Sequence, residues 1–255
     1  LAGHLNEEVI AETKAALEGG TLFVTPSPIS RDGAERLCKR FGIEKVRFAN
    51  SGTEATMYAV RTAKAFTGKS AIVKLEGGYH GSYDPLVVSS KPNVATAGDE
   101  DFPTPAIDSN LVTGNVFVVP YNNLEYLEKI MSENAHKIAA FVLEPIMENI
   151  SIVLPDEGYL PAVRALCDKY DICLIFDEVK TGLTAGEAGA AGRTGVEPDL
   201  ITLAKSIGGG LPVAAFGGKQ KYMDAVVDGR MAHYGTYNGN PLVLAAVMAV
   251  EELVT

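Results

Sequence analysis

Short apolar runs rich in Val, Ile and Phe recur along the chain at Val46–Ala49, Ala71–Val73, Val116–Val119, Ala140–Leu143, Ile172–Phe176 and Leu200–Leu203. Runs this short, apolar at successive positions, predict strands buried on both faces. Between them the period changes. Leu160, Val163, Leu166, Cys167 and Tyr170 recur every three to four residues and form one apolar helical face. A second helix is predicted over residues 52–67, with Tyr58, Ala59, Thr62, Ala63 and Phe66 on one side and Gly68 as its stop. Glu54 in its first turn and Arg61 and Lys64 toward its end suit the helix dipole. Strands alternating with helices imply an α/β fold with a mostly parallel, doubly wound sheet and flanking helices. The stretch from Lys91 to Asn115 reads as a long surface excursion, either an active-site loop or, more commonly for such stretches, an insertion.

At 255 residues and 47% hydrophobic content, the chain can bury the core of one large domain, with or without small appendages. No run approaches the roughly 18 apolar residues of a membrane span, so a membrane role is excluded from the reading. With 22 basic against 32 acidic residues the net charge is -10, and no basic stripe is present to attract a phosphate backbone, which excludes nucleic acid as the expected partner. Cys38, Cys167 and Cys173 are odd in number and lack metal-ligand spacing, as expected of reduced core thiols. The first residues show neither the basic start nor the apolar region of a signal peptide, which favours the cytoplasm. The chain starts on Leu1 and stops at Thr255 inside the helical pattern Pro241–Val254, which we read as two cut ends.

In open α/β sheets ligands bind beyond the carboxyl ends of the strands. Those positions here hold Asn50-Ser51-Gly52-Thr53, Gly77-Gly78-Tyr79-His80-Gly81, Glu144-Pro145, Asp177-Glu178-Val179 and Lys205, the last followed by Gly208-Gly209-Gly210. One cleft can collect them all. The Ser51-Gly52-Thr53 turn opens a helix, so it is either an anion site for a phosphate or a routine N-cap by Ser51. Asp177 ends a buried strand and needs a partner there; a protonated pyridine nitrogen would serve, and so would the end of a neighbouring helix. Lys205 closes an apolar run, as a nucleophilic amine of lowered proton affinity or as a surface lysine whose stem follows the sheet edge. The glycines are not followed by Lys-Ser/Thr, and no Gly-x-Gly-x-x-Gly follows a strand, so the usual nucleotide signals are missing.

Five segments, taken in order and spacing, resemble the class III pyridoxal-phosphate aminotransferases, and within them the glutamate-1-semialdehyde aminomutase branch. They are Asn50 to Thr56, Glu76 to Gly81, Phe176 to Val179, Lys205 to Pro212 and Gly235 to Pro241. The resemblance implies a fold type I large domain over residues 1–255, with most of the relatives' N-terminal segment and small C-terminal domain outside it. It implies pyridoxal 5'-phosphate as cofactor, with Lys205 as the Schiff-base lysine and proton shuttle and Asp177 paired with the pyridine nitrogen. By the same resemblance Tyr79 and Val179 cover the two ring faces, Ser51, Gly52 and Thr53 hold the phosphate, and Glu144 lies near the cofactor. Thr236 matches a residue that reaches the phosphate of the neighbouring subunit, which implies a homodimer.

The activity so implied is amino transfer between an amino acid or amine and a 2-oxo acid. Intramolecular amino transfer, as in glutamate-1-semialdehyde 2,1-aminomutase, ranks second, and a non-catalytic binding protein third. Asn149 stands where the ornithine and ω-amino-acid branches carry a gating glutamate, which argues against those branches. Lys180 stands where relatives often have Gln or Met, and either contacts the cofactor's phenolic oxygen or points to solvent.

Overall fold

The computed structural model describes residues 2–23, 25–95, 97–99 and 115–254. In chain order the elements are α1 (Glu7–Glu18), α2 (Pro28–Phe41), β1 (Lys45–Ala49), α3 (Gly52–Thr67), β2 (Ala71–Leu75), β3 (Val116–Val119), α4 (Leu124–Asn134), β4 (Ile138–Leu143), α5 (Tyr159–Tyr170), β5 (Cys173–Asp177), α6 (Thr181–Thr184), α7 (Gly189–Thr194), β6 (Leu200–Leu203), β7 (Ala214–Gly218), α8 (Gln220–Val227) and α9 (Pro241–Leu253). Most of the Lys91–Asn115 excursion lies outside the described residues. Among those described, no helix is long and apolar enough to cross a membrane.

One seven-stranded sheet runs in the order β1-β7-β6-β5-β4-β2-β3. Strands β2 to β6 pair in parallel, and β7 alone runs against both of its neighbours. The predicted mostly parallel sheet is therefore correct, and all six predicted strands are present, but the pattern does not reveal β7. Its sequence, Ala214-Ala215-Phe216-Gly217-Gly218, lacks β-branched residues. The glycines have a packing reason: a Cβ on Gly218 would overlap the carbonyl oxygen of Asp199. Its direction follows from chain length, since the connection 204–213 is too short for the crossover of roughly a dozen residues that a parallel return requires.

Strands β2, β4, β5 and β6 are buried along their full lengths, as continuous apolar runs require. α3 packs across the sheet through Ala55, Tyr58, Ala59, Val60, Thr62 and Ala63, and Gly68 ends it in the left-handed conformation. α5 turns Tyr159, Leu160, Val163 and Cys167 inward, which is the predicted face with Leu166 and Tyr170 at its margin. The three cysteines are free, and burial raises the thiol pKa of each above its ordinary value. From β2 the chain proceeds outward to β3, whereas β4, β5 and β6 advance the other way, so the order reverses between β2 and β4. Such a reversal opens a crevice at the carboxyl ends of the strands.

Candidate active site

A cleft of about 380 Å³ lies at this crevice, within the range of small-molecule sites. It is lined by Ser51, Gly52, Thr53, Tyr79, Glu144, Asp177, Val179 and Lys205, so eight of the nine candidate residues meet in one place. The ninth, Thr236, is exposed and lies in a separate depression with Phe23, Phe48 and Tyr234.

The β1–α3 turn is built by reciprocal capping. Ser51 Oγ accepts the Glu54 amide at 3.2 Å, while the Glu54 carboxylate accepts the Asn50 amide at 2.8 Å. Ser51 is thus the N-cap of α3, and the amides of Gly52 and Thr53 keep no protein acceptor among the described residues. They sit where the helix dipole favours an anion. The loop after β2 is tied to this turn: Thr56 Oγ1 donates to the His80 carbonyl at 2.6 Å, and the Ser82 amide donates to Thr53 Oγ1 at 3.2 Å.

Asp177, 3% exposed, ends β5 and finds its partners within the protein. Its Oδ1 accepts the Val179 amide at 3.0 Å and the Thr202 hydroxyl at 3.1 Å, and its Oδ2 stands 2.7 Å from His80 Nδ1. That pairing makes Nδ1 the donor and leaves Nε2 of His80 buried without a partner. The sequence gives His80 only as part of a motif. Nothing in the order of residues signals a bond to a carboxylate 97 positions away.

Glu144 is buried, and its three acceptor bonds run to the amides of Tyr79 at 2.9 Å, Glu148 at 3.1 Å and Asn149 at 3.2 Å. Burial raises its pKa, opposed by His80 and by the Tyr79 amide. Glu178, the residue after Asp177, has a different task. Buried beside Asp177, it accepts from the Thr181 hydroxyl and from the amides of Ala190 and Ala191, and so anchors α7.

Lys205 lines the cleft with its side chain exposed and sits at φ 51°, a left-handed conformation that costs a non-glycine residue about 1–3 kcal/mol. Strain of this kind persists where surrounding structure imposes it, commonly at functional sites. Burial lowers the proton affinity of the amine, Asp177 raises it, and Lys180 lowers it further. Lys180 also lines the cleft and is half-buried. The side-chain amide of Asn149 donates to the carbonyls of Gly77 at 3.0 Å and Ser90 at 3.2 Å.

The donor set fits a flat, anionic, nitrogen-containing ring. Oδ2 of Asp177 has one protein partner and room to accept another proton. A Cβ on Gly52 would stand 3.1 Å from Cγ1 of Val179, so a side chain there would crowd the cleft between the two.

Comparison with known proteins places this geometry in a family. The family model described as "Aminotransferase class-III" matches residues 1–255. The chain is 43% identical over 255 residues to the glutamate-1-semialdehyde 2,1-aminomutase of Methanocella arvoryzae, covering 99% of this chain and 59% of that protein. Among solved structures, an ω-transaminase from Sphaerobacter thermophilus superposes with a TM-score of 0.93 at 33% identity, over 99% of this chain and 59% of that one. A transaminase with PLP bound superposes with a TM-score of 0.91 at 32% identity, over 99% and 60%. The chain belongs to the class III aminotransferase family. It spans 59% of the length of the aminomutase it matches.

Proposed function

We propose that residues 1–255 form the cofactor-binding domain of a pyridoxal 5'-phosphate enzyme that moves an amino group within one substrate, as a glutamate-1-semialdehyde 2,1-aminomutase does. The observation that carries the cofactor reading is the meeting of Lys205 and Asp177 on one cleft: a strained lysine of lowered proton affinity and a buried carboxylate with an acceptor position to spare. The aminomutase reading has its support in relatives of that name at 43% and 44% identity over nearly the whole chain. This reverses the order that the sequence suggested, in which transfer between an amino donor and a 2-oxo acid came first.

Bound in this cleft, pyridoxal phosphate would supply an electron sink for the charge left when a proton leaves the carbon beside the substrate nitrogen. The chain's own groups divide the remaining work. Ser51, Gly52 and Thr53 would hold the phosphate with hydroxyls and the two free amides of α3. Asp177 would keep a proton on the ring nitrogen, its own position fixed by His80, Thr202 and the Val179 amide. Tyr79 and Val179 would take the two faces of the ring. Glu144 would act from beside the cofactor by fixing the Tyr79 amide. Lys205 would take the proton from, or return it to, the carbon beside the substrate nitrogen, a task for which a lowered proton affinity suits an amine near neutral pH. Thr236, outside the cleft of its own chain, would reach the phosphate of a second subunit in a homodimer.

Transfer between an amino acid or amine and a 2-oxo acid is the second reading. It is favoured by the TM-score of 0.93 to the ω-transaminase. One assay separates the two. Full-length protein supplied with glutamate-1-semialdehyde and no oxo acid should turn over, moving the amino group from carbon 2 to carbon 1. Turnover that requires an added 2-oxo acid would replace the first reading by the second. Intact Lys205 and Asp177 weigh against a non-catalytic role.

A further inference from the structure

Lys74 lies on β2 between β3 and β4, and none of its side chain reaches solvent. An ammonium group in such a place is costly unless every proton is engaged. Its Nζ donates to the carbonyl oxygen of Gly78 at 2.9 Å and to that of Val88. The Gly78 carbonyl shares a peptide group with the Tyr79 amide, and that amide donates to Oε1 of Glu144 at 2.9 Å. A lysine amine therefore holds the oxygen of this peptide while a carboxylate holds its hydrogen. Rotating the peptide plane would break both bonds at once, and the plane sets the direction in which the Tyr79 ring leaves the backbone. The flanking residues are pinned as well: the Gly77 amide donates to the Ser89 carbonyl at 2.7 Å, and His80 is bonded to Asp177. Tyr79 as a whole is 44% exposed, so the base of the side chain, rather than packing around the ring, fixes its position.

We propose that Lys74 is a positioning residue: with Glu144 it clamps the Gly78–Tyr79 peptide and so aims the Tyr79 ring at the bound cofactor. The proposal rests on the reading of this cleft as a pyridoxal phosphate site. Its pH behaviour separates positioning from mere stability. Burial brings the Lys74 amine down to about 7, against the opposing charges of Glu144 at the end of β4 and Glu76 at the end of β2. In the unfolded chain the proton stays on up to the ordinary value of 10.5, so stability rises with pH between the two values. The clamp changes in the opposite direction, because an uncharged amine makes weaker bonds to carbonyl oxygens.

The test measures the dissociation constant of pyridoxamine phosphate, which forms no bond to Lys205, for full-length wild type, Lys74→Met, Tyr79→Ala and the double variant. Lys74→Met should weaken binding about tenfold in the wild-type background and less than about twofold when Tyr79 is already Ala. An equal loss in both backgrounds, or no loss in a folded Lys74→Met protein, overturns the proposal. Should Lys74→Met not fold, the advantage of wild type over Tyr79→Ala should shrink as pH rises through about 7. An advantage constant across that range overturns it equally. Wild type that binds no pyridoxamine phosphate would remove the cofactor reading itself, and the inference with it.

Discussion

Asp177 and Asp199 are both buried carboxylates next to strands of the same sheet, 3% and 2% exposed, but they stand at opposite ends of it. Asp199 precedes β6, where its oxygens take Arg164 at 2.9 Å, the Leu174 amide at 2.8 Å and Lys219 at 2.7 Å. Two permanent cations close that site. Burial alone would raise its pKa, but Lys219, the Leu174 amide and Arg164 outweigh burial and bring it below the ordinary value. Asp177 ends β5, held by a hydroxyl, an amide and an imidazole, with an open cleft before it. A strand-end carboxylate supports the fold when its charge is neutralised in place. It can serve chemistry when its neighbours hold it still without using up its acceptor capacity.

The comparison breaks most visibly through stability. Asp199→Ala strands Arg164 without its buried partner and should lower the unfolding free energy by about 3–5 kcal/mol, as read by urea titration. Asp177→Asn should change that free energy by less than about 1 kcal/mol, yet lower kcat about a hundredfold, or ~2.7 kcal/mol, because an amide keeps no proton on a ring nitrogen. Equal losses of stability in the two variants would erase the distinction. Thr236→Ala should weaken cofactor affinity about tenfold, near 1.4 kcal/mol, in a verified dimer with unchanged melting. Unaltered affinity there would remove the contact between subunits. The smallest effect is a slope with pH. Since the folded pKa of Asp199 is depressed, its stabilisation is complete above the unfolded value near 3.8 and is lost as pH falls through the lower folded value. Asp199→Asn should flatten that part of the acid-unfolding curve.

Much of the fold was legible in the order of residues, but Asp199 and its cations were not. The apolar runs located six strands, and the period of three to four placed α3 over the predicted residues 52–67. β7 escaped because Ala and Gly carry no strand signal, and its fit between β1 and β6 depends on side chains being absent. The eight candidates that line the cleft were picked out by their position after strands and by resemblance, since strand ends leave motifs of local sequence. The groups that hold those residues were not found. His80 meets Asp177 only once β2, β4 and β5 lie side by side, and Lys74 meets the Gly78 carbonyl through the turn that follows β2, which the apolar pattern does not show. The φ of 51° at Lys205 is equally invisible, for it is imposed by the close of β6 rather than by the residue itself.

Lys205 carries the account, and absorbance tests it most directly. Full-length wild type mixed with pyridoxal phosphate should develop the visible band of lysine-bound cofactor, and Lys205→Ala should bind the cofactor without that band. The same band in Lys205→Ala, or none in wild type, would contradict the assignment.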